Sequence, residues 1–554
     1  MDIAGFVISV AGLAIQLGEI GVEILNSRKA WFPEGVSDIE IERLELAIRH
    51  ECEQTQLLSS LITKEKFGLT GNTFEFEKSM GHKDQGILFS ILDQLFRIWT
   101  DVNELRKKQE IPGSSKAPTL ETRDRELEGA IVKVQKLRLA TDIDRLRVML
   151  RTASEWNDRL ERRLRAITWI RALSMPSLER SIDNLSTVAN DPEAERLGWK
   201  TPALLRQLVL AVGNPQLDRS LLSIPSSLKL LDDCVSGIGN ASEGIATGLN
   251  KIDRTRVFVE FLPYNRSPVR NDEDMVLRRV EQLTALLHLP KDSAFRLPVA
   301  TGFYNDSNRA RYGIVFKISN LTIYPMAKMI SLQSILQRIA QHGSGMHRPS
   351  LNSRFKLAYK LALSLSKIQS IGWVHQGIRS ENILFWTETG TLAETKGIPF
   401  DEPWWIGFGS SRPDTIPSAA LYDENPIRNL YRHPARWGLH PAERFNKLHD
   451  IYSLGVVLLE IGCCSPVSRI VREELTKPGA SSSAVMEDLL ALSRHARVVD
   501  LMGERFARVV ELCLKSSASE FGVSEGVDTK DDSLLQAAFL ERVVKVLSDA
   551  TEAV

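Results

Sequence analysis

Several things are scarce in this chain of 554 residues, and each scarcity removes a class of function. Cysteine occurs five times, at Cys52, Cys234, Cys463, Cys464 and Cys513, a scattered, odd-numbered set without C-x-x-C or His-paired spacing. That argues against a disulfide framework or a thiolate metal cage, and it suits a reducing, cytoplasmic setting. Net charge is missing as well: 70 basic side chains meet 70 acidic ones, which argues against a general nucleic-acid binder. The uncharged run 3–18, between Asp2 and Glu19, falls short of the roughly 18 or more apolar residues of a spanning helix. It also lacks the basic n-region of a secretory signal. No amyloid-like C-terminal motif stands out, because 521–530 is polar and 534–547 reads as a final helix. No metal site is expected.

What remains is an ordinary globular composition, with 43% apolar and 25% charged residues, long enough for two or more domains. The first part is helical by pattern. Apolar residues recur at helical spacing over 38–61 (Ile41, Leu44, Ile48, Leu57, Leu58) and over 86–105 (Leu88, Leu92, Leu95, Trp99, Val102). After the breaker-rich loop 111–118, a longer tract carries Leu127, Ile131, Val134, Leu137, Ile143, Leu146, Leu150, Trp156, Leu160, Leu164 and Ile167. An all-α bundle accommodates these stripes. The arginines of that tract (Arg138 to Arg165) form a basic face, read first as paired with Asp142, Asp144, Asp158 and Glu161 and second as a surface for an acidic partner. The run 3–18, with Ile3, Phe6, Val7, Val10, Gly12, Leu13 and Leu17, is apolar nearly all round. Residue physics favours burial in the bundle, and its small residues would also allow close packing in lipid.

The second part carries more specific strings. Val374-His375-Gln376-Gly377-Ile378-Arg379-Ser380-Glu381-Asn382 resembles the protein-kinase catalytic loop H-R-D-L-x-x-x-N, with His375 and Asn382 correctly spaced. Gly377 stands where the loop's Asp accepts the substrate proton. Trp405-Ile406-Gly407-Phe408-Gly409 resembles the magnesium-binding D-F-G element with Gly407 in place of its Asp. Tyr431-Arg432-His433-Pro434-Ala435 sits where A-P-E is expected, and Asp450-Ile451-Tyr452-Ser453-Leu454-Gly455 resembles the D-x-W-S-x-G helix. In that family this Asp braces the catalytic loop, so Asp450 is assigned a structural role. Upstream, Val257-Phe258-Val259-Glu260-Phe261-Leu262 reads as the strand that would hold the ATP-binding Lys, whose place falls at Leu262 or a neighbour. The helix 275–289 offers Glu281 as the ion-pair Glu, a strand is expected at 312–318, a hinge near 320–324, and helices at 331–340 and 352–371. The Gly-rich run 237–244 reads as a linker. No catalytic residue is assigned; Arg379 and Asn382 are weak nucleotide-contact candidates.

The opening apolar pattern, followed by a helical region ending near Gly198-Trp199, resembles the fungal HeLo domain (Het-s/LopB, prion-inhibition and propagation). The second part resembles the kinase-like domain often fused to it in filamentous fungi. The expected fold is therefore multidomain: an N-terminal all-α helical bundle over 1–200, a linker or brace over 201–250, and an α+β, bilobal protein-kinase-like pseudokinase over 251–550. The resemblance implies heterokaryon incompatibility, nonself recognition and programmed cell death. Residues 3–17 would be the membrane-active segment and the pseudokinase its regulator. It further implies protein partners, membrane lipid on activation (hence plasma-membrane association), self-assembly, no nucleic acid, and no required cofactor, with ATP only weakly bound. The alternatives are an atypical, weak ATP-binding kinase and a protein-binding scaffold.

Overall fold

The computed structural model describes residues 3–26, 39–63, 82–110, 142–161, 163–164, 178–196, 198–213, 228–230, 234–237, 245–251, 253–265, 272–317, 328–342, 348–387, 397–414, 425–438, 441–523 and 529–553. They fall into two compact units, Met1–Val188 and Ala189–Val554. The loop 111–118, most of the Gly-rich run, the hinge near 320–324, and Leu127 to Leu137 of the long helical tract lie outside the described residues.

The first unit is helical, as its apolar periodicity requires. Helices α1 (Ile3–Leu25), α2 (Ile39–Thr63) and α3 (His82–Glu110) are followed by α4 (residues 142–161) and α5 (Leu178–Ala189). On α2 the stripe Leu44, Ile48, Cys52, Leu58 and Ile62 is buried, and on α3 the stripe Leu88, Leu92, Leu95, Trp99 and Val102. Helix α1 packs on both and buries Ala14, Leu17, Gly21 and Ile24, while Ile15 and Val22 stay exposed on the opposite face. The backbones approach closely at Gly21, where a Cβ would run into the side chain of Gln56; that amide donates to the Gly18 carbonyl at 3.0 Å. A buried polar chain ties three helices together: Trp99 Nε1–H donates to Thr55 Oγ1 (2.8 Å), Thr55 donates to Asn157 Oδ1 (2.7 Å), and Asn157 donates to the Glu51 carbonyl (2.9 Å). Part of the basic face of α4 is internally paired, through Arg147–Asp144 at 2.9 Å and Arg159 stacked over Trp156. Among the described residues no helix is long and apolar enough to cross a membrane.

The second unit joins an antiparallel sheet to a larger helical part. The strands are β1 (Val235–Ser236), β2 (Ile245–Asn250), β3 (Arg256–Pro263), β4 (Val299–Asp306) and β5 (Arg311–Lys317), in the order β1-β2-β3-β5-β4. The stretch 201–250, expected as a linker, thus supplies two strands, and before them helix α6 (Lys200–Gly213). Strand β3 is central, so both its faces are covered and its pattern reads as a continuous apolar run. Val257, Val259 and Phe261 pack with Cys234, Ala246 and Val315. Phe258 and Leu262 face the main core with helix α7 (Asp272–His288). The helical part contains α8 (Leu332–His342), α9 (Leu351–Ser370), α10 (Lys447–Cys463), α11 (Ser482–Ser493), α12 (Ala496–Lys515, kinked at Gly503), α13 (Thr529–Phe539) and α14 (Lys545–Ala553). Short strands β6 (Lys328–Ser331), β7 (Trp373–Val374), β8 (Ile383–Thr387), β9 (Trp404–Trp405) and β10 (Arg412–Pro413) form two small sheets, β6-β8-β9 and β10-β7. Helix α10 is buried along almost its whole length and starts at an Asn446–His449 capping box.

Two substitutions test this packing. Helices α10 and α12 meet at Gly455, where a Cβ would lie 2.9 Å from Cys513 Cβ and 3.0 Å from the Leu514 nitrogen. Gly455→Ala is expected to destabilise the second unit by about 1–3 kcal/mol despite its better helix propensity. Thr55→Val removes a shared partner from Trp99 and Asn157 and is expected to cost the first unit about 1–3 kcal/mol. Thermal or urea unfolding of each variant measures both.

Candidate functional site

The loop singled out by sequence, 375–382, runs from β7 to β8, and its backbone is held by one carboxylate. Asp450, near the start of α10, accepts from the His375 N–H with Oδ2 (2.7 Å) and from the Gln376 N–H with Oδ1 (2.9 Å). Burial pushes Asp450 up to about 7, and the two amide bonds oppose that rise. The His375 ring is enclosed near Trp405 and Phe408, at 5.5 and 5.0 Å between centroids. Burial, with the nearby Arg379, pushes it down to about 3, so it is neutral at physiological pH. Its Nδ1 accepts the Gly377 N–H at 3.2 Å. Gln376 adopts φ 59, a left-handed conformation that a non-glycine residue holds only under surrounding constraint.

Gly377 and Gly407 are closed in on both sides. A Cβ at Gly377 would lie 2.6 Å from the Gly407 carbonyl oxygen. At Gly407, with φ 84, a Cβ would run into the Asn382 amide. Asn382 Nδ2 donates to the Gly377 carbonyl at 2.7 Å, and the Asn382 carbonyl accepts from Ile406 at 3.0 Å. Asn382, a weak nucleotide-contact candidate by sequence, serves here as a strut between the loop and the segment leading into the 407–409 turn. Phe408 is buried against Phe316 and His375.

A residue that sequence reasoning missed holds the other side of this turn. Glu260, on β3, accepts from the Gly407 N–H with Oε2 and from the Gly409 N–H with Oε1, both at 3.0 Å. Strand alternation puts it on the face of Phe258 and Leu262, and that face meets the turn. The strand position facing the turn is therefore Glu260; Leu262 is an apolar core residue. Burial pushes Glu260 up to about 7, while the amides of residues 407–409 and the charge of Arg279 pull it down. Arg279, on α7, is lowered by burial and raised by Glu260. Glu281 lies two positions further along α7, about 200° around the helix, and is half-buried. The charge facing the strand is therefore the cation Arg279. The missed signal was the one ionisable residue inside the apolar run 257–262.

The remaining candidates go elsewhere. Arg379 contacts the Glu381 carboxylate through Nε at 2.6 Å, as does Arg428 at 3.3 Å. In the first unit Gly12 and Leu13 are half-buried and Leu17 is buried; the side chains of Ile3, Phe6, Val7 and Val10 lie outside the described residues, although the helix through them is described. Among the described residues no group of three His, Cys, Asp or Glu could hold a metal ion.

Restoring the lost carboxylates is expected to break this site. Gly407→Asp combines left-handed strain of about 1–2 kcal/mol with collision at Asn382, so it should lower stability. Stability against pH tests Glu260. A carboxyl raised from its ordinary value to about 7 contributes stability that is full below its unfolded value and is lost as pH rises through 7. Glu260→Gln leaves one turn amide poorly paired, costing about 1–3 kcal/mol. That cost should be larger at pH 5 than at pH 8, by up to about 3 kcal/mol. Urea titrations at both pH values measure the difference; equal costs would reject it. Compared with known proteins, this chain matches no family model and no curated protein.

Proposed function

We propose that the second unit is a catalytically inert, protein-kinase-like module that regulates a helical effector in regulated cell death of the fungal nonself-recognition type. One observation carries the first half of this reading: the Glu260 carboxylate bonds to the Gly407 and Gly409 amides. In a kinase the corresponding strand presents a Lys to the nucleotide phosphates, and the turn presents an Asp to magnesium. Here the strand carries a carboxyl group, the helix carries the cation Arg279, and the turn carries no carboxylate. A carboxyl at that place offers no cation to phosphate, Asn382 is engaged with the loop, and Gly377 has no proton acceptor. These residues do not fit a magnesium–nucleotide complex. Each loss removes a contribution worth orders of magnitude to phosphoryl transfer, since positioning and charge stabilisation supply most of that catalysis.

The effector half of the proposal rests on α1 and on the HeLo resemblance. Its buried side chains face α2 and α3, and its C-terminal end is tied by polar contacts. Glu23 pairs with Lys107 at 2.8 Å and with Arg106 at 3.4 Å, and accepts from Asn103 at 2.9 Å. Such contacts are modest at a partly exposed site, about 1 kcal/mol or less per pair. On activation this helix would leave the bundle for the lipid interface, with protein partners or further copies of the chain driving the change, in the cytoplasm and then at the plasma membrane. The scaffold alternative keeps both units and removes the membrane step.

Two measurements decide between these readings. ATP, with or without magnesium, is expected to leave the melting temperature unchanged; a magnesium-dependent shift would support the atypical kinase instead. Dye release from anionic liposomes is expected for residues 1–200, once circular dichroism shows them folded, and should be lost in Gly12→Asp. A Cβ at Gly12 meets nothing within 4 Å, so that variant is expected to fold and to differ only in carrying a carboxylate on the apolar helix. Leakage that persists in Gly12→Asp would remove α1 from the mechanism, and silence of folded 1–200 would favour the scaffold.

A further inference from the structure

Beside the loop 375–382, four guanidinium side chains line one cleft: Arg379, Arg428, Arg432 and Arg436. They come from three places in the chain. Arg379 follows the loop's glycine, Arg428 belongs to the short helix Pro426–Asn429, and Arg432 and Arg436 flank the turn Pro434–Arg436. Among the described residues no carboxylate lines the cleft. The nearest described carboxylates lie at its edges. Glu381 touches Arg379 and Arg428 through their Nε atoms, and Glu443 pairs with His449 at 3.3 Å while its charge acts on Arg436. Behind the wall, Asp414 pairs with Lys447 at 3.0 Å, and Asp450 accepts the loop amides.

We infer that this cleft binds a single tetrahedral phosphate-type oxyanion, either free phosphate or a phosphate monoester. Size and donor geometry both select that class. The cavity is about 50 Å³, room for a few water-sized groups, whereas organic-ligand pockets run to about 300–1,000 Å³. A nucleotide does not fit, and one phosphoryl group does. Guanidinium offers five N–H donors in a planar fork matched to phosphate oxygens. The contact with Glu381 runs through Nε in both Arg379 and Arg428, so one carboxylate orients two forks at once. Arg432 is fixed from behind, where its carbonyl accepts Trp437 Nε1–H at 3.0 Å; Arg436 is fixed by donating to the Glu443 carbonyl. Cations also crowd one another here. Arg412, behind the cleft wall, is pushed down to about 10 by burial first, with Arg436 and Arg279 adding to the effect against Asp414 and Asp450. A bound dianion would offset that repulsion.

The test uses the full chain and isothermal titration with inorganic phosphate, against sodium chloride of matched ionic strength as the blank. Saturable binding at or below about 1 mM is expected. Arg428→Gln/Arg432→Gln should weaken it by about tenfold or more, since both charged donor forks are lost. Arg428→Lys/Arg432→Lys keeps the charge and loses the forks, so it should fall between the two and serves if the glutamine variant does not fold. O-phosphoserine binding more tightly than phosphate would identify a phosphorylated side chain as the source, and equal affinity would identify free phosphate. Heat no different from the chloride blank, or unchanged affinity in the glutamine variant, overturns the site. Neither result bears on the ATP and liposome measurements, because the residues that line this cleft include neither Glu260 nor any residue of α1.

Discussion

The second unit depends on buried carboxylates that take the place of missing backbone partners. Asp450 is wholly enclosed, yet it accepts two consecutive amides, those of His375 and Gln376. Glu260 does the same for Gly407 and Gly409, and Glu460 accepts the Tyr431 hydroxyl at 2.7 Å and the Val467 amide at 2.8 Å. A buried amide without a partner costs free energy, and so does a buried carboxylate without donors. Each pairing offsets part of both penalties, and the burial that remains holds all three carboxyls near 7. The loop 375–382 is thereby fastened from α10, and the turn beside it from β3. Irregular backbone at the centre of the unit keeps one conformation because side chains from regular elements hold it.

That arrangement explains why the two glycines are more than deletions. With no side chain at Gly377 and Gly407, the two backbones close until the Asn382 amide bridges them. The space a catalytic carboxylate would need is now occupied by backbone. The inversion of charge between strand and helix, Glu260 against Arg279, points the same way. The inert kinase-like frame proposed above would account for these features together: two glycines without side chains, an engaged asparagine, and a carboxyl from the strand facing the turn.

The first unit meets a different constraint. Helix α1 is apolar over most of its length, so its stability in water comes from the stripes of α2 and α3 that cover Leu17 and Ile24. Its polar ties are few and sit toward the C-terminal end, at Gly18, Gly21, Glu23 and Leu25. A helix held mainly by non-directional burial can exchange one apolar environment for another at low cost, and this property links the bundle to the membrane step proposed for it.

Much of this was legible in the sequence, for a physical reason. Periodicity alone located α2, α3, α7, α8 and α9, because burial of one face repeats at 3.6 residues wherever a helix lies on a core. Resemblance to protein-kinase motifs brought out His375, Asn382, Gly407 and Asp450, and a loop held by short hydrogen bonds tolerates little variation in the length of such strings. Glu260 was not legible in that way. Its role depends on strand β3 lying across from a turn 147 residues later, and on alternation that turns one carboxylate toward that turn. The pairing of Arg279 rather than Glu281 with it was hidden for the same reason, since the rotation of α7 is set by packing against the sheet. The arginine cleft likewise exists only once three separate segments have folded to one place. The sequence by itself determined which segments are regular and which carboxylates are missing. The tertiary structure decided what replaced them, because only packing specifies which distant charges share a buried volume.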